Sequence, residues 1–366
     1  MGEAEKSFPS AEPLVVVTRG SFVESVHRGH VVAVDGRGRV VARLGSADAS
    51  AFMRSATKPF QALPLVSSGA ADRFGLTEAE LAVACGSHDA TPAHTSAVLS
   101  MLTKAGLSAS DLKCGAHEPY SKEAAEGLRS RGESPTALHN NCSGNHAGLL
   151  ALASHLGADV GTYDRPENPA QRAVFRAVSQ FSGLPEDGLE YATDGCGIPT
   201  FFLSLTAMAN MFARLVAPAD AGADGESAGG ASHESARRVF GAYVARRIVG
   251  AMLKHPEMVE GDGELDTELM RAGGGRLVSK VGAEGIYAAG VLPCGRWPDG
   301  LGLAFKIEDG DKGDRARSPV AVELLRQLGV LGEEERRPLS GLARQTLRNH
   351  RGDEVGEVRT IFALNP

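Results

Sequence analysis

The sequence predicts an α/β protein built on a mixed, largely antiparallel sheet with helices packed against it. Three observations carry this. Short β-branched runs crowd residues 13–45, helical periodicity fills the middle of the chain, and β-like runs return after Asp266. Strands at both ends with helices between them imply one sheet whose N- and C-terminal strands pair. The strand–helix alternation of a doubly wound sheet is missing.

The elements follow in order. Residues 1–12 are polar and read as a disordered N-terminus; 13–366 read as a single catalytic domain. LVVVTRG, FVESVHRG, HVVAVD and RVVARLG form a meander, with Asp35-Gly36-Arg37-Gly38 as a hairpin turn. From Lys58 to about His155 the pattern is helical. Thr77 opens one helix with acids behind it, Pro92 stands near the start of another, and AGLLALASHLG follows a polar stretch. AQRAVFRAVSQFSG and TFFLSLTAMANMFARLV read as further helices. Residues 217–235 are rich in Ala, Gly, Ser and Asp without periodicity and read as a flexible insertion. RLVSKVG, GIYAAGVL and GLGLAFKIED are strand-like, SPVAVELLRQLG is helical, and VGEVRTIFAL ends the sheet.

Composition narrows the function. With Lys+Arg 38 against Asp+Glu 45 the chain carries a net charge of −7 and no basic block, which argues against nucleic-acid or anionic-membrane partners. No apolar run approaches the ~20 residues of a membrane span. The polar N-terminus and five cysteines without an export signal predict thiols in a reducing, cytoplasmic setting. There is no Walker loop and no G-x-G-x-x-G before a helix, so no nucleotide cofactor is expected.

The chemistry centres on Arg54-Ser55-Ala56-Thr57-Lys58-Pro59, which sets a hydroxyl and an amine at Ser-x-x-Lys spacing. On a helix these positions share one face, one turn apart, and a deprotonated lysine can activate a serine. Pro59 suits a first helical turn. Alone, the tetrapeptide reads as a cap followed by a solvated lysine; four more segments change its weight. Lys280-Val281-Gly282 puts a lysine on a late strand, as the K-T-G of penicillin-recognising enzymes does. Gly86-Ser87-His88-Asp89 supplies a second serine. Asn141-Cys142-Ser143-Gly144-Asn145-His146 and Asp194-Gly195-Cys196-Gly197 each set a thiol among turn residues. Two thiolates and one further ligand would suit Zn²⁺, although two structural thiols fit the sequence as well. Arg54 and Asp194 are candidates for gripping a carboxylate and an ammonium. Cys114-Gly115-Ala116-His117-Glu118-Pro119 reads as a loop with a buried thiol, and Glu257 or Glu260 as groups that could line the site.

The stretches RSATKPFQ, ACGSHD, GAHEP, NNCSGNHAG, DGCGIPTF, HPEMVEG and VSKVGAEG, in that order, resemble the rhizobial-type L-asparaginases, the asparaginase II or class 3 family. The resemblance extends over most of the chain, roughly Val15 to Gly329. It implies a fold similar to serine β-lactamases and glutaminases, a homodimer, and hydrolysis of L-asparagine to L-aspartate and ammonia. Carried onto this sequence it implies two catalytic pairs, Ser55 with Lys58 and Ser87 with Lys280, and zinc thiolates at Cys142 and Cys196. The family's third zinc ligand is a lysine three residues after the first cysteine, where this chain has Asn145. A neutral amide oxygen is a poor ligand for zinc, so the metal is expected to be weak, absent, or completed by His146 or water. Arg54, Asp194, Asn145 and His146 are the expected substrate contacts. A glutaminase, another acyl-serine amidase, and a non-catalytic amino-acid- or zinc-binding protein are the alternatives.

Overall fold

The computed structural model describes residues 9–218 and 240–364. Within these, the strands are β1 (Glu12–Arg19), β2 (Phe22–Asp35), β3 (Val40–Leu44), β4 (Ser50–Phe52), β5 (Tyr191–Thr193), β6 (Pro199–Ser204), β7 (Leu277–Gly282), β8 (Ile286–Val291), β9 (Leu301–Ile307), β10 (Gln345–Arg348) and β11 (Glu354–Thr360). The helices are α1 (Lys58–Ser67), α2 (Ala70–Arg73), α3 (Glu78–Ala84), α4 (Pro92–Lys104), α5 (Lys122–Ser130), α6 (Ser143–His155), α7 (Pro169–Ser182), α8 (Leu205–Val216), α9 (Ala242–Lys254), α10 (Leu265–Ala272), α11 (Arg317–Gln327), α12 (Glu333–Arg336) and α13 (Ser340–Ala343).

The main sheet runs β10-β11-β1-β2-β9-β8-β7, with β3 also on β2, and every pairing is antiparallel. The expected pairing of the terminal strands is present, Val15 opposite Thr360. The runs FVESVHRG and HVVAVD are one strand, not two. β2 passes through Gly29, where the partner changes from β1 to β9. A Cβ at Gly29 would lie 2.2 Å from the Lys306 carbonyl oxygen, so only glycine lets the ribbon continue there. The predicted hairpin after Asp35 forms, its carboxylate accepting from the Arg37 and Arg39 amides.

The two faces of the sheet carry separate cores. Val32, Val34, Val278, Ile286, Ala288 and Ala304 face the large helical layer; Val31, Ala33, Leu277, Tyr287, Leu303 and Phe305 face α10 and α11. This is the period-two alternation of a sheet covered on both sides. α8 lies directly on β8 and β9 because Gly290 and Gly302 have no side chain; a Cβ on Gly302 would sit 1.9 Å from the Ala209 carbonyl oxygen.

α3 starts at the predicted Thr77 with a complete capping box to Glu80. One expected helix is shorter than read. TFFLS is strand β6, not helix, and pairs with β4 and β5 in a small second sheet. Its branched and aromatic residues suit a pleated surface, and Ser204 then caps α8 by accepting the Ala207 amide. The expected N-terminal coil ends by Glu12, where β1 begins; its first eight residues lie outside the described chain, as does 219–235 of the expected insertion. No helix among the described residues is long and apolar enough to cross a membrane.

Candidate active site

β4 feeds straight into a single 3-10 turn, Arg54–Thr57, which runs on into α1. This turn sits between β6 and the end of β7. The Met53 amide donates to the Phe201 carbonyl at 2.9 Å, and the Met53 carbonyl oxygen lies 2.6 Å from where a Cβ of Gly282 would stand. Arg54 adopts a left-handed conformation, φ 48°. For a non-glycine residue that costs on the order of 1–3 kcal/mol and persists only where neighbours enforce it. Here they do. The Arg54 amide donates to Thr200 Oγ1 at 3.0 Å, and its guanidinium Nε donates to Asp194 Oδ1 at 2.8 Å. The strained residue stands directly before Ser55, which is half-buried. Among the described residues the Ser55 hydroxyl has no hydrogen-bond partner.

Lys58 is the hub. Its side chain is buried, and Nζ donates to the Gly86 carbonyl (2.7 Å), Ser87 Oγ (2.9 Å) and Cys142 Sγ (3.2 Å). The expected pairing is therefore changed: the amine hydrogen-bonded to Ser87 belongs to Lys58, not to Lys280. The local backbone explains why. After α3 the chain runs extended beside residues 259–260, Ser87 N donating to Val259 O and Asp89 N to Glu260 O. A Cβ on Gly86 would meet the Met258 and Val259 carbonyls at 2.8 Å, so glycine allows this close approach. Ser87 is thereby turned toward α1. Lys280, on β7, is fully buried and bonds Asp266 Oδ2 at 2.9 Å and the Val281 carbonyl at 3.2 Å.

Cys142 and Cys196 do come together, and their sulfurs share a hydrogen bond. That bond, reinforced by the Lys58 ammonium against the effect of burial, holds the Cys142 thiol down to about 5; the same bond and burial push Cys196 up. The pair is best described as a thiolate at Cys142 and a thiol at Cys196. Asn145 and His146 stand on the first turn of α6. Asn145 Nδ2 donates to the Ala84 carbonyl at 3.2 Å, leaving its buried Oδ1 without a partner among the described residues. His146 Nδ1 is 2.6 Å from the Tyr163 hydroxyl. Burial, then the Lys58 charge, hold this imidazole down to about 3. Since Tyr163 already accepts the Lys113 amide, its proton is free to point at Nδ1, which leaves a buried N–H at Nε2 with no partner among the described residues.

The resemblance implied a zinc here. Among the described residues no three His, Cys, Asp or Glu side chains come together to hold a metal. Two sulfurs with a lysine ammonium on one of them fall short of the three protein ligands that zinc sites use. The donor set does not fit a bound zinc.

The Cys114 segment is the predicted loop around a buried thiol, pushed up to about 12 by burial; His117 accepts the Asn141 amide at 2.9 Å and so braces the Cys142 loop. Three residues escaped the sequence reading: Asp266, Thr200 and Tyr163. Glu260 was legible only as a group near the site. Its Oε2 accepts the Asp266 amide at 2.7 Å, and burial followed by the Asp266 charge push its carboxyl up to about 8.

Comparison with solved structures finds the chain similar to a probable glutaminase from Bacillus subtilis complexed with 6-diazo-5-oxo-L-norleucine. The identity is 11% and the TM-score 0.39, over 83% of this chain and 85% of that one. A Bacillus glutaminase in 4.3 M NaCl gives 12% identity and a TM-score of 0.39, over 83% and 91%. Mglu in its native form at the same salt concentration gives 18% and 0.36, over 86% of this chain; the chain spans 62% of that protein. No curated protein sequence matches. The model of the L-asparaginase II family matches residues 15–360, nearly the whole chain. The chain belongs to the L-asparaginase II family and is an amidohydrolase.

Proposed function

We propose that the protein hydrolyses the side-chain amide of L-asparagine to L-aspartate and ammonia, with Ser55 as nucleophile and Lys58 as base. One observation carries this reading: the Lys58 amine, one turn along the chain from Ser55, hydrogen-bonds Ser87 at 2.9 Å, from where it would serve both hydroxyls once substrate is bound. Ser55 is the serine left with an unengaged hydroxyl and an open side, as a nucleophile meeting substrate must be. Ser87 is buried and already engaged, as a proton carrier should be.

The steps balance as follows. Once the Lys58 ammonium has released one proton to solvent, Ser55 Oγ attacks the amide carbon while its own proton passes to the Lys58 amine. Lys58, directly or through Ser87, delivers a proton to the amide nitrogen, and ammonia leaves. Water then adds to the seryl ester, giving its proton to Lys58, and aspartate departs with Ser55 restored. Backbone N–H groups at the start of the turn are the candidates for holding the oxyanion. The adjoining Arg54 and Asp194 offer opposite charges for the α-carboxylate and α-ammonium. No step is routed through a metal.

The test is ammonia release from L-asparagine and, in parallel, L-glutamine. Ser55→Ala should abolish release from asparagine, and Ser87→Ala should slow it by about 10²–10⁴. Full activity in Ser55→Ala would remove it as nucleophile; comparable turnover of glutamine would replace the substrate.

A further inference from the structure

Asp266 occupies the second position of α10, and its side chain is fully inaccessible to solvent. α10 packs on the face of the sheet opposite the large helical layer, Leu265 and Leu269 joining the second core. β7 is the last strand of the sheet, so among the described residues one of its edges has no neighbouring strand. The Asp266 carboxylate fills that edge. Oδ2 accepts the Val281 amide at 2.9 Å and Lys280 Nζ at 2.9 Å, and Oδ1 accepts the Ser279 hydroxyl at 2.7 Å. Having given its only proton to Asp266, Ser279 accepts from the Tyr287 hydroxyl 3.0 Å away.

Successive side chains on a strand point to opposite faces. Ser279 and Val281 therefore face α10, while Lys280 and Gly282 face the other way. The Gly282 position is the one pressed against the Met53 carbonyl, so Lys280 leaves the strand on the side of the Ser55 turn. To reach a carboxylate shared with its two neighbours, it has to bend round the free edge, and its second contact, the Val281 carbonyl, shows that it does. A buried ion pair of this kind is weak evidence for stability, because desolvating two charges offsets most of their attraction.

We propose that Asp266 is a positioning residue for the amide hydrolysis proposed above, holding Lys280 as a fixed cation beside the Ser55 turn and away from Ser87. Lys280 then acts through its charge, favouring the negative charge that develops as Ser55 attacks, while proton transfer belongs to the other lysine. The titratable groups in reach of Lys280 are Asp266 from α10, which it bonds, Glu260 from the preceding loop and Cys85 from the end of α3. The charges of Lys280 and Lys58 both act on the buried Cys85 thiol, against the burial that raises it. Glu260, raised by burial and by Asp266, is a neutral neighbour below about pH 8 and leaves Asp266 the counter-ion.

The inference rests on the asparagine-hydrolysis reading, and two measurements separate their failures. The first is the pH profile of kcat and KM for asparagine in wild type, Asp266→Asn and Asp266→Glu. Asp266→Asn should lower kcat by 10-fold or more with KM changed far less, and should move the alkaline limb to lower pH; Asp266→Glu should recover part of both. The second needs no turnover: the slowly exchanging ammonium signal of Lys280 in ¹⁵N-lysine-labelled protein should be present in wild type and lost in Asp266→Asn. A wild type that releases no ammonia from either amide, yet shows the signal change, overturns the asparagine-hydrolysis reading and keeps the positioning claim. An unchanged pH profile and kcat in a folded Asp266→Asn, or an unchanged Lys280 signal, overturns the positioning claim.

Discussion

Replacing Glu260 with Gln tests the electrostatics of the site through stability alone. In the folded protein burial and the neighbouring Asp266 charge keep this carboxyl protonated up to about pH 8, against an ordinary value of 4.5. The unfolded chain loses that proton near 4.5, so between the two values the folded state binds more protons and stability falls as pH rises. The contribution is fully present below pH 4.5 and lost by the time pH has passed 8. Each pH unit of that window is worth about 1.4 kcal/mol. Taken over the whole window this would approach ~5 kcal/mol. Glu260 is only half-buried, so solvent screens part of it, and about 2 kcal/mol is the working figure. Glutamine keeps an oxygen able to accept the Asp266 amide but has no proton to lose. Thermal unfolding of both proteins should therefore coincide at pH 5, and at pH 9 the Glu260→Gln variant should melt several degrees above wild type. Equal melting points at pH 9, or a variant less stable there, would refute a buried neutral carboxyl beside Asp266.

Two other perturbations probe the scaffold and the sulfur pair. Gly302→Ala would force a Cβ to 1.9 Å from the Ala209 carbonyl oxygen, a backbone atom of α8 that cannot turn away. Overpacking of this kind costs about 1–3 kcal/mol or more, so the melting point should drop, while Gly250→Ala, in the interior of α9 with open space around its Cβ, should raise it slightly. The Cys142 thiolate should appear in the ultraviolet as pH rises through about 5, and vanish in Cys142→Ser. With no third ligand among the described residues, adding zinc or a chelator should leave the melting point of the wild type where it was.

Much of this was legible from residues alone, and the parts that were not share a cause. Capping chemistry at Thr77, the hairpin at Asp35 and the late strands around Lys280 are local, decided by residues a few positions apart. The error at β6 was also local: an apolar run entering a helix has no periodic break, and strand and helix separate only at the capping Ser204. The site itself assembles from segments far apart in the chain. Ser55, Ser87, Cys142, Cys196 and Lys280 can each be found by their neighbours in sequence, but which amine meets which hydroxyl cannot. That choice is made by Gly86, whose missing side chain lets the Ser87 strip lie against residues 258–260, and by Asp266, which captures Lys280 first.

Asp266 shows the limit most clearly. Nothing marks it in sequence: it sits in the first turn of a short helix, where an acid is expected for the helix dipole alone. Its importance comes from three donors converging on one carboxylate at an unpaired sheet edge, an arrangement that exists only after β7 has lost a neighbour on that side. The same edge explains the division between the two lysines. Lys58 lies inside a helical layer, where its donors meet a carbonyl, a hydroxyl and a sulfur but no carboxylate. Lys280 lies at the rim of a sheet with a carboxylate already paid for by the strand. Lys58 touches the Ser87 hydroxyl and can exchange a proton with it; Lys280, clamped to a buried carboxylate, touches no hydroxyl among the described residues. Identical side chains thus reach different chemistry through what each element leaves unpaired, and the Asp266→Asn variant is where that difference should collapse.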